Sequence, residues 1–393
     1  MAAWIVAGPH ALILAQEYSP VVEDRVESAL PQAPEPAVQE TRKEGWDLSA
    51  VVSAAYDDNI FLSARDPESD VVFRAVPSIA YAKGDAKEGE GGFVKAGYRP
   101  ALVVYARNGS ENRIDHEALA VAGWRGKVTK VAWSGLVRKL GDATAETGRP
   151  TDRIEVDNEV RAVWMPKEKI ALEIAAGNRQ ENYSDDGLYD SNETYGEVAV
   201  RYLYSPKTEI GLVYQVGRLR VDRSDTQDTR QLTAEIAWQP REKIRLVLEA
   251  GAEHRKVGGT SETNPVLEAR VDWTPRDGTD LHLAGYMREE ASSFYAGQNS
   301  SVRGFTAGIS QRLNRVWSAK LEGGWESDSY RLVSGTGPAG REDRIWFLRP
   351  AVACRVADES ELVFYYRVSD NDSNDPSFGY AQQLLGVEFN HAF

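Results

Sequence analysis

The sequence holds a single cysteine, Cys354, among 393 residues. That excludes an internal disulfide framework and any metal site built from thiolates. Histidine is almost as scarce, with five in all: His10, His116, His254, His282 and His391. No Gly-x-Ser-x-Gly, His-Glu-x-x-His or phosphate-cradling glycine loop occurs in a strand–turn–helix setting, so no enzyme, cofactor or metal centre is expected. The stretch Asp370-Asn-Asp-Ser-Asn-Asp375 alternates oxygen side chains as a calcium loop does. It lacks the turn glycine at its sixth position, Asp375, and the bidentate glutamate is replaced by Ala381. A formal net charge of -14 excludes a nucleic-acid binder held by phosphate contacts.

Long apolar runs are also missing. The one continuous run, Met1 to Ala15, is shorter than the roughly 20 residues a membrane helix needs. Residues 1–15 read instead as a secretory signal, although no Lys or Arg precedes the apolar run and Pro9 and His10 interrupt it. Residues 16–44, with Pro20, Pro31, Pro34 and Pro36, read as a Pro-rich extended linker.

What the chain does have, from residue 45 to 393, is alternation. Trp46, Leu48, Ala50, Val52, Ala54 and Tyr56 alternate with Asp47, Ser49, Val51, Ser53, Ala55 and Asp57. Leu385, Val387, Phe389, His391 and Phe393 do the same at the other end. A period of two is a strand with one apolar face, and segments this long suit strands that cross a membrane at a tilt. Trp164-Met-Pro-Lys-Glu-Lys-Ile170, Tyr204-Ser-Pro-Lys-Thr-Glu-Ile210, Trp238-Gln-Pro-Arg-Glu-Lys-Ile244 and Trp273-Thr-Pro-Arg-Asp-Gly-Thr279 share one short-turn recipe, in which Pro pre-sets the turn. Between them lie longer polar connections such as Lys139–Asp152, Lys256–Asn264 and Ser327–Asp343. The pattern predicts an all-β, antiparallel, up-and-down transmembrane barrel of about 18 strands, with 16 as the alternative. A propeller or solenoid fits poorly, because each repeat holds two long strands rather than four short ones. An even strand count puts both termini on the periplasmic side of a bacterial outer membrane.

The polar parity of these strands predicts a charged lumen. It carries Lys95, Arg99, Lys130, Arg161, Arg201, Arg245, Arg270, Arg288, Lys320, Arg349 and Arg367. Opposite in sign are Glu155, Glu159, Glu173, Glu197, Glu235, Glu249, Glu268, Asp272, Glu322 and Glu361. Burying so many charges in a dry core costs several kcal/mol each, so a wet interior is expected. Only Tyr286 and Tyr365 stand out as lumen-facing aromatics, a weak signal for a sugar track.

Ala55 to Ser63, AYDDNIFLS, and Ser69 to Tyr81, SDVVFRAVPSIAY, carry a more specific likeness. Through Tyr56, Asp57, Asp58, Asn59, Ile60, Phe61, Arg74 and Pro77 the first hairpin resembles the opening of the beta-barrel porin 2 family. The resemblance implies an outer-membrane barrel and, for some members, a link to exopolysaccharide production. The terminal Phe393 resembles the last residue of other barrels, which implies an assembly signal read by the outer-membrane barrel-assembly machinery; His391 departs from the apolar residue usual there. The expected function is a porin-like channel for passive diffusion of small hydrophilic solutes, set among outer-membrane lipids and lipopolysaccharide. The alternatives are a component of exopolysaccharide export, or a closed barrel whose outer loops serve adhesion or structure.

Overall fold

The computed structural model describes residues 44–84, 90–334 and 340–393. The expected signal, 1–15, and all but the last residue of the expected linker lie outside the described residues. The strands are β1 (Gly45–Asp57), β2 (Asp70–Lys83), β3 (Gly91–Tyr105), β4 (Arg113–Arg125), β5 (Thr129–Leu140), β6 (Arg153–Lys167), β7 (Ile170–Tyr183), β8 (Ser191–Ser205) and β9 (Thr208–Val221). They continue as β10 (Gln227–Arg241), β11 (Ile244–Val257), β12 (Thr260–Arg276), β13 (Thr279–Ala291), β14 (Gln298–Arg312), β15 (Trp317–Leu332), β16 (Glu342–Ala357), β17 (Ser360–Ser373) and β18 (Tyr380–Ala392).

Each strand pairs antiparallel with its neighbours in sequence, and β1 also pairs with β18, closing an 18-stranded up-and-down barrel. The closing register sets Val52 opposite Phe389 and Tyr56 opposite Leu385, so both strands turn their apolar faces the same way. The Phe393 amide donates to the Leu48 carbonyl at 2.9 Å, extending the seam to the last residue. His391 sits between Phe389 and Phe393, edge-on to the latter with ring centroids 4.5 Å apart, and its Nδ1 lies 2.9 Å from the Ser360 hydroxyl.

The wall is apolar outside and polar inside. Leu385 is 62% exposed and Ile174 59%, whereas inward Lys130 is 0% exposed and Glu173 2%. Every tryptophan among the described residues (Trp46, Trp124, Trp133, Trp164, Trp238, Trp273, Trp317, Trp325 and Trp346) lies on the outward parity of its strand. Leaving such side chains in water forfeits about 1.5–3 kcal/mol each, so this surface is built for hydrocarbon.

Two expectations about connections are corrected. Pro166, Pro240 and Pro275 do not sit in their turns. They occupy a bulge just before it, where the register slips between Trp164 and Lys167, Trp238 and Arg241, and Trp273 and Arg276. A bulge leaves one residue without a ladder partner, which suits a residue that has no amide hydrogen. The connection expected as long at Lys256–Asn264 is a two-residue hairpin, Gly258-Gly259, with φ of +54 and +96. Two positive-φ residues match the twist of a hairpin, and only glycine adopts them freely. Elsewhere, too, the strands run further into the long connections than the alternation suggested.

A basic residue on the outward face tests this arrangement. Ile174→Arg is expected to destabilise the barrel by about 2–4 kcal/mol, read as a lower urea midpoint in lipid vesicles. Substituting inward Ala175 with Ser is expected to leave the midpoint nearly unchanged.

Candidate functional site: the barrel interior

The inner wall of β6 to β10 carries a belt of charge. Arg161 pairs with Glu159 at 2.8 Å, with Glu197 at 3.0 Å and with Glu173. Arg201 reaches the same Glu173, Glu235 at 3.1 Å and Glu209 at 3.9 Å. Thr233 donates to Glu249 at 2.7 Å on the next strand. Arg161, Glu173 and Arg201 are 3%, 2% and 6% exposed. Within the belt the charges bury one another, which is tolerable because each arginine has several carboxylate partners. Lys95, Arg99 and Lys320, by contrast, are exposed.

Sequence parity anticipated most of this set. Glu159, Arg161, Glu197, Arg201 and Glu235 meet in the belt, while Glu209 was missed. Arg245, Glu268 and Arg270 are half-buried on β11 and β12, with Arg270 2.9 Å from Asp272. Lys130 lies with its Nζ 5.3 Å from the Phe93 ring centre, and Arg99 pairs with Glu117 at 2.6 Å.

Three of the inner arginines share one construction. Tyr195, Tyr286 and Tyr365 lie flat on the wall over the cross-strand glycines Gly177, Gly304 and Gly386. A Cβ at Gly177 or Gly386 would fall 2.4 Å from the tyrosine ring, and one at Gly304 would fall 2.7 Å from the Tyr286 hydroxyl. On each ring rests a guanidinium: Arg179 over Tyr195 at 4.6 Å, Arg288 over Tyr286 at 4.6 Å, and Arg349 over Tyr365 at 4.9 Å. The glycine lets the ring lie close, and the ring fixes the cation by its negative face. Arg367 stacks likewise on Phe347, at 5.3 Å, and among the described residues its Nε has no hydrogen-bond partner; nor has that of Arg74 on β2.

Aromatic side chains on the inner parity are therefore more numerous than the sequence reading allowed. Phe93, Tyr195, Tyr330, Phe347 and Tyr380 join Tyr286 and Tyr365, each of the five 5–8% exposed. Tyr330 lies in the end of β15, which the alternation placed too short.

The mouth at the long-loop end is crossed by the connection between β5 and β6, residues 141–152. It is held in shape by the Thr144 and Thr147 hydroxyls, 2.9 Å apart, and by a bridge between Ala143 and Pro150. Its tip, Glu146, accepts hydrogen bonds from the Ser292 hydroxyl at 2.7 Å, the Ser293 hydroxyl at 2.6 Å and the Ser293 amide at 3.0 Å. Those serines belong to the connection between β13 and β14, eight strands further round the barrel. Arg341 donates to the carbonyls of Glu146 and Ala145 at 3.0 and 3.2 Å and pairs with Asp343 at 2.6 Å. It lies against the rings of Tyr330, at 4.7 Å, and Phe378, at 3.5 Å. Burial works against the Arg341 charge, but Tyr330, Asp343 and Glu146 outweigh it and hold its pKa above the usual arginine value. Ala143 and Ala145 of the loop form a small apolar cluster with Leu62, Ile345 and Tyr380. Gln227 on β10 and Asn299 on β14 exchange hydrogen bonds of 2.9 and 3.1 Å across the interior, narrowing the same end.

No family model matches the chain, and no curated protein matches it in sequence. Solved structures do match in fold. OccK2 (OpdF) of Pseudomonas aeruginosa is 9% identical, with a TM-score of 0.50 over 88% of this chain and 98% of that one. A BenF-like porin from Pseudomonas fluorescens is 11% identical, with a TM-score of 0.49 over 89% and 99%. The outer membrane protein OpdK of Pseudomonas aeruginosa is 10% identical, also at 0.49 over 89% and 99%. At these identities the likeness is one of fold, the closed barrel of outer-membrane porins.

Two variants probe the interior. Glu146→Ala removes hydrogen bonds to a charged acceptor, about 1.5–3 kcal/mol apiece, and is expected to free the loop and raise single-channel conductance and noise. Gly386→Val pushes Tyr365 and Arg349 off the wall and is expected to cost about 1–3 kcal/mol by overpacking and to lower conductance. Planar-bilayer recording checks both.

Proposed function

We propose that this chain is an outer-membrane channel through which small hydrophilic solutes diffuse passively. The observation that carries the reading is the inverted wall, apolar outside and densely charged inside, around an interior narrowed at one end by a tethered loop. The long connections face outwards and both termini lie in the periplasm in this reading, because the short bulged turns suit the side from which strands insert. Phe393, at the end of the closing strand, then serves as the assembly signal.

The interior charge is uneven in a way that matters for transit. On β6 to β10 the belt sets Arg161 and Arg201 against Glu159, Glu173, Glu197, Glu209 and Glu235. Half-way round, on β16, β17 and β2, lie Arg349, Arg367 and Arg74, with Asp57, Glu322, Glu361 and Glu388 as the nearby acids. Charges of both signs on opposite walls make a polar bore, which favours hydrophilic solutes and disfavours apolar ones. Lys95, Arg99, Lys130, Arg245, Glu249, Glu268, Arg270, Arg288 and Lys320 complete the proposed lining. The export of exopolysaccharide is the second reading, favoured by the inner aromatics. It ranks lower because those rings are already covered by guanidinium groups or neighbouring side chains.

Purified protein in a planar bilayer is expected to give steady, ohmic openings. Converting Arg74, Arg349 and Arg367 together to Gln is expected to shift the reversal potential in a salt gradient towards cations. Persistent silence of the folded wild-type protein would remove the channel reading.

A further inference from the structure

On the outward wall, near the long-loop end of β15 to β17, the apolar band gives way to a polar cleft. Across β14 to β17, the register lines up Phe305, Trp325, Trp346 and Asp370 in one row. The next outward row, nearer the long-loop end, is Arg303, Ser327, Arg344 and Asp372. Against the β15 to β17 part of these rows opens a cleft of ≈ 690 Å³, lined by Trp325, Trp346, Arg344, Asp370 and Asp372 and by Ala64 and Pro376 of the adjoining connections, with Arg303 outside the lining, two strands from Arg344 on the same row. Arg303 and Asp372 are exposed, and the Arg344 side chain is 61% exposed. The Arg344 pair with Glu342 spans 3.9 Å, beyond hydrogen-bond length. Among the described residues, no side-chain hydrogen bond or ion pair engages Arg303, Asp370 or Asp372.

We propose that this cleft binds the phosphorylated sugar headgroup of an outer-leaflet glycolipid. Each part of such a headgroup has a matching surface. The guanidinium groups of Arg303 and Arg344 suit a phosphate ester, which they grip through paired N–H donors. Asp370 and Asp372 accept hydrogen bonds from sugar hydroxyls. The indoles of Trp325 and Trp346 lie where the ring belongs at a membrane interface, with an apolar body towards the chains and an N–H towards the headgroups. Below the cleft the same outward face continues through Leu348, Phe364, Val352 and Leu321, a surface for acyl chains. A phosphatidylglycerol headgroup would reach the arginines and offer the aspartates two hydroxyls, but it has no sugar ring to lie against the indoles. Further round the rim, outward Arg230 and Lys256 are also basic, without the paired indoles of β15 and β16. The inference rests on the reading that the long connections face the cell exterior.

The test uses the full barrel in detergent, with lipid A carrying its phosphates as the probe and native mass spectrometry as the readout. Wild-type protein is expected to retain one lipid A at least tenfold more strongly than dephosphorylated lipid A or phosphatidylglycerol. The R303Q/R344Q double variant is expected to lose that preference, and W346L to weaken binding several-fold, both still showing the heat-dependent gel shift of a folded barrel. Equal retention by wild type and R303Q/R344Q, or equal binding of the dephosphorylated lipid, would overturn the site. A preference for phosphatidylglycerol over lipid A would overturn it as well. Labelling Asp186→Cys with an impermeant maleimide in intact cells, in a Cys354→Ala background, separates this inference from the orientation beneath it. Failure to label overturns the orientation and the site with it. Labelling, combined with lipid A binding that ignores R303Q/R344Q, overturns the site alone.

Discussion

Everything in this molecule follows from the need to pair the backbone. A strand wall facing hydrocarbon has no water to satisfy a free amide or carbonyl, and each one left open costs several kcal/mol. The seam between β1 and β18 removes the last open edge, from Ser49 opposite Ala392 to Asp57 opposite Leu384. Once the sheet closes, the period of two divides every strand between two environments. The lipid-facing half takes the apolar residues and all of the described tryptophans. The other half must then house most of the charge that the strands carry.

That charge is organised rather than diluted. Along β6 to β10 it is arranged chiefly as arginines bridging several glutamates, and on β7 and β8, β13 and β14, and β16 to β18 as guanidinium groups resting on tyrosine rings laid over glycine. Both devices hold long cationic side chains against the wall and keep them from collapsing across the bore. The mouth behaves differently. There the connection between β5 and β6 reaches side chains on the far side, and contacts between Glu146, Ser292, Ser293 and Arg341 replace the wall as the organising structure.

Much of the fold was legible because one rule, alternation, repeats in every strand. It located the strands within a few residues, separated the lipid face from the inner face, and assigned Glu159, Arg161, Glu197, Arg201 and Glu235 to the same side. It could not say which inner residues meet, since that depends on register between strands. Glu209 and Arg74 show the gap, as do the glycines beneath Tyr195, Tyr286 and Tyr365. Strand ends were drawn short, because polar residues such as Ser329 and Asn371 near the mouth look like loop when their inner partners are unknown. The tethered loop left no local signal at all: Glu146 and Ser292 are brought together by closure of the barrel, not by anything near either in sequence.

The inverted wall is the claim on which the rest stands, and tryptophan fluorescence tests it most directly. The account predicts that, in reconstituted vesicles, brominated lipids quench most of the intrinsic emission while aqueous iodide quenches little of it. Strong quenching by iodide with little effect from brominated lipid, in protein shown to be folded, would contradict it.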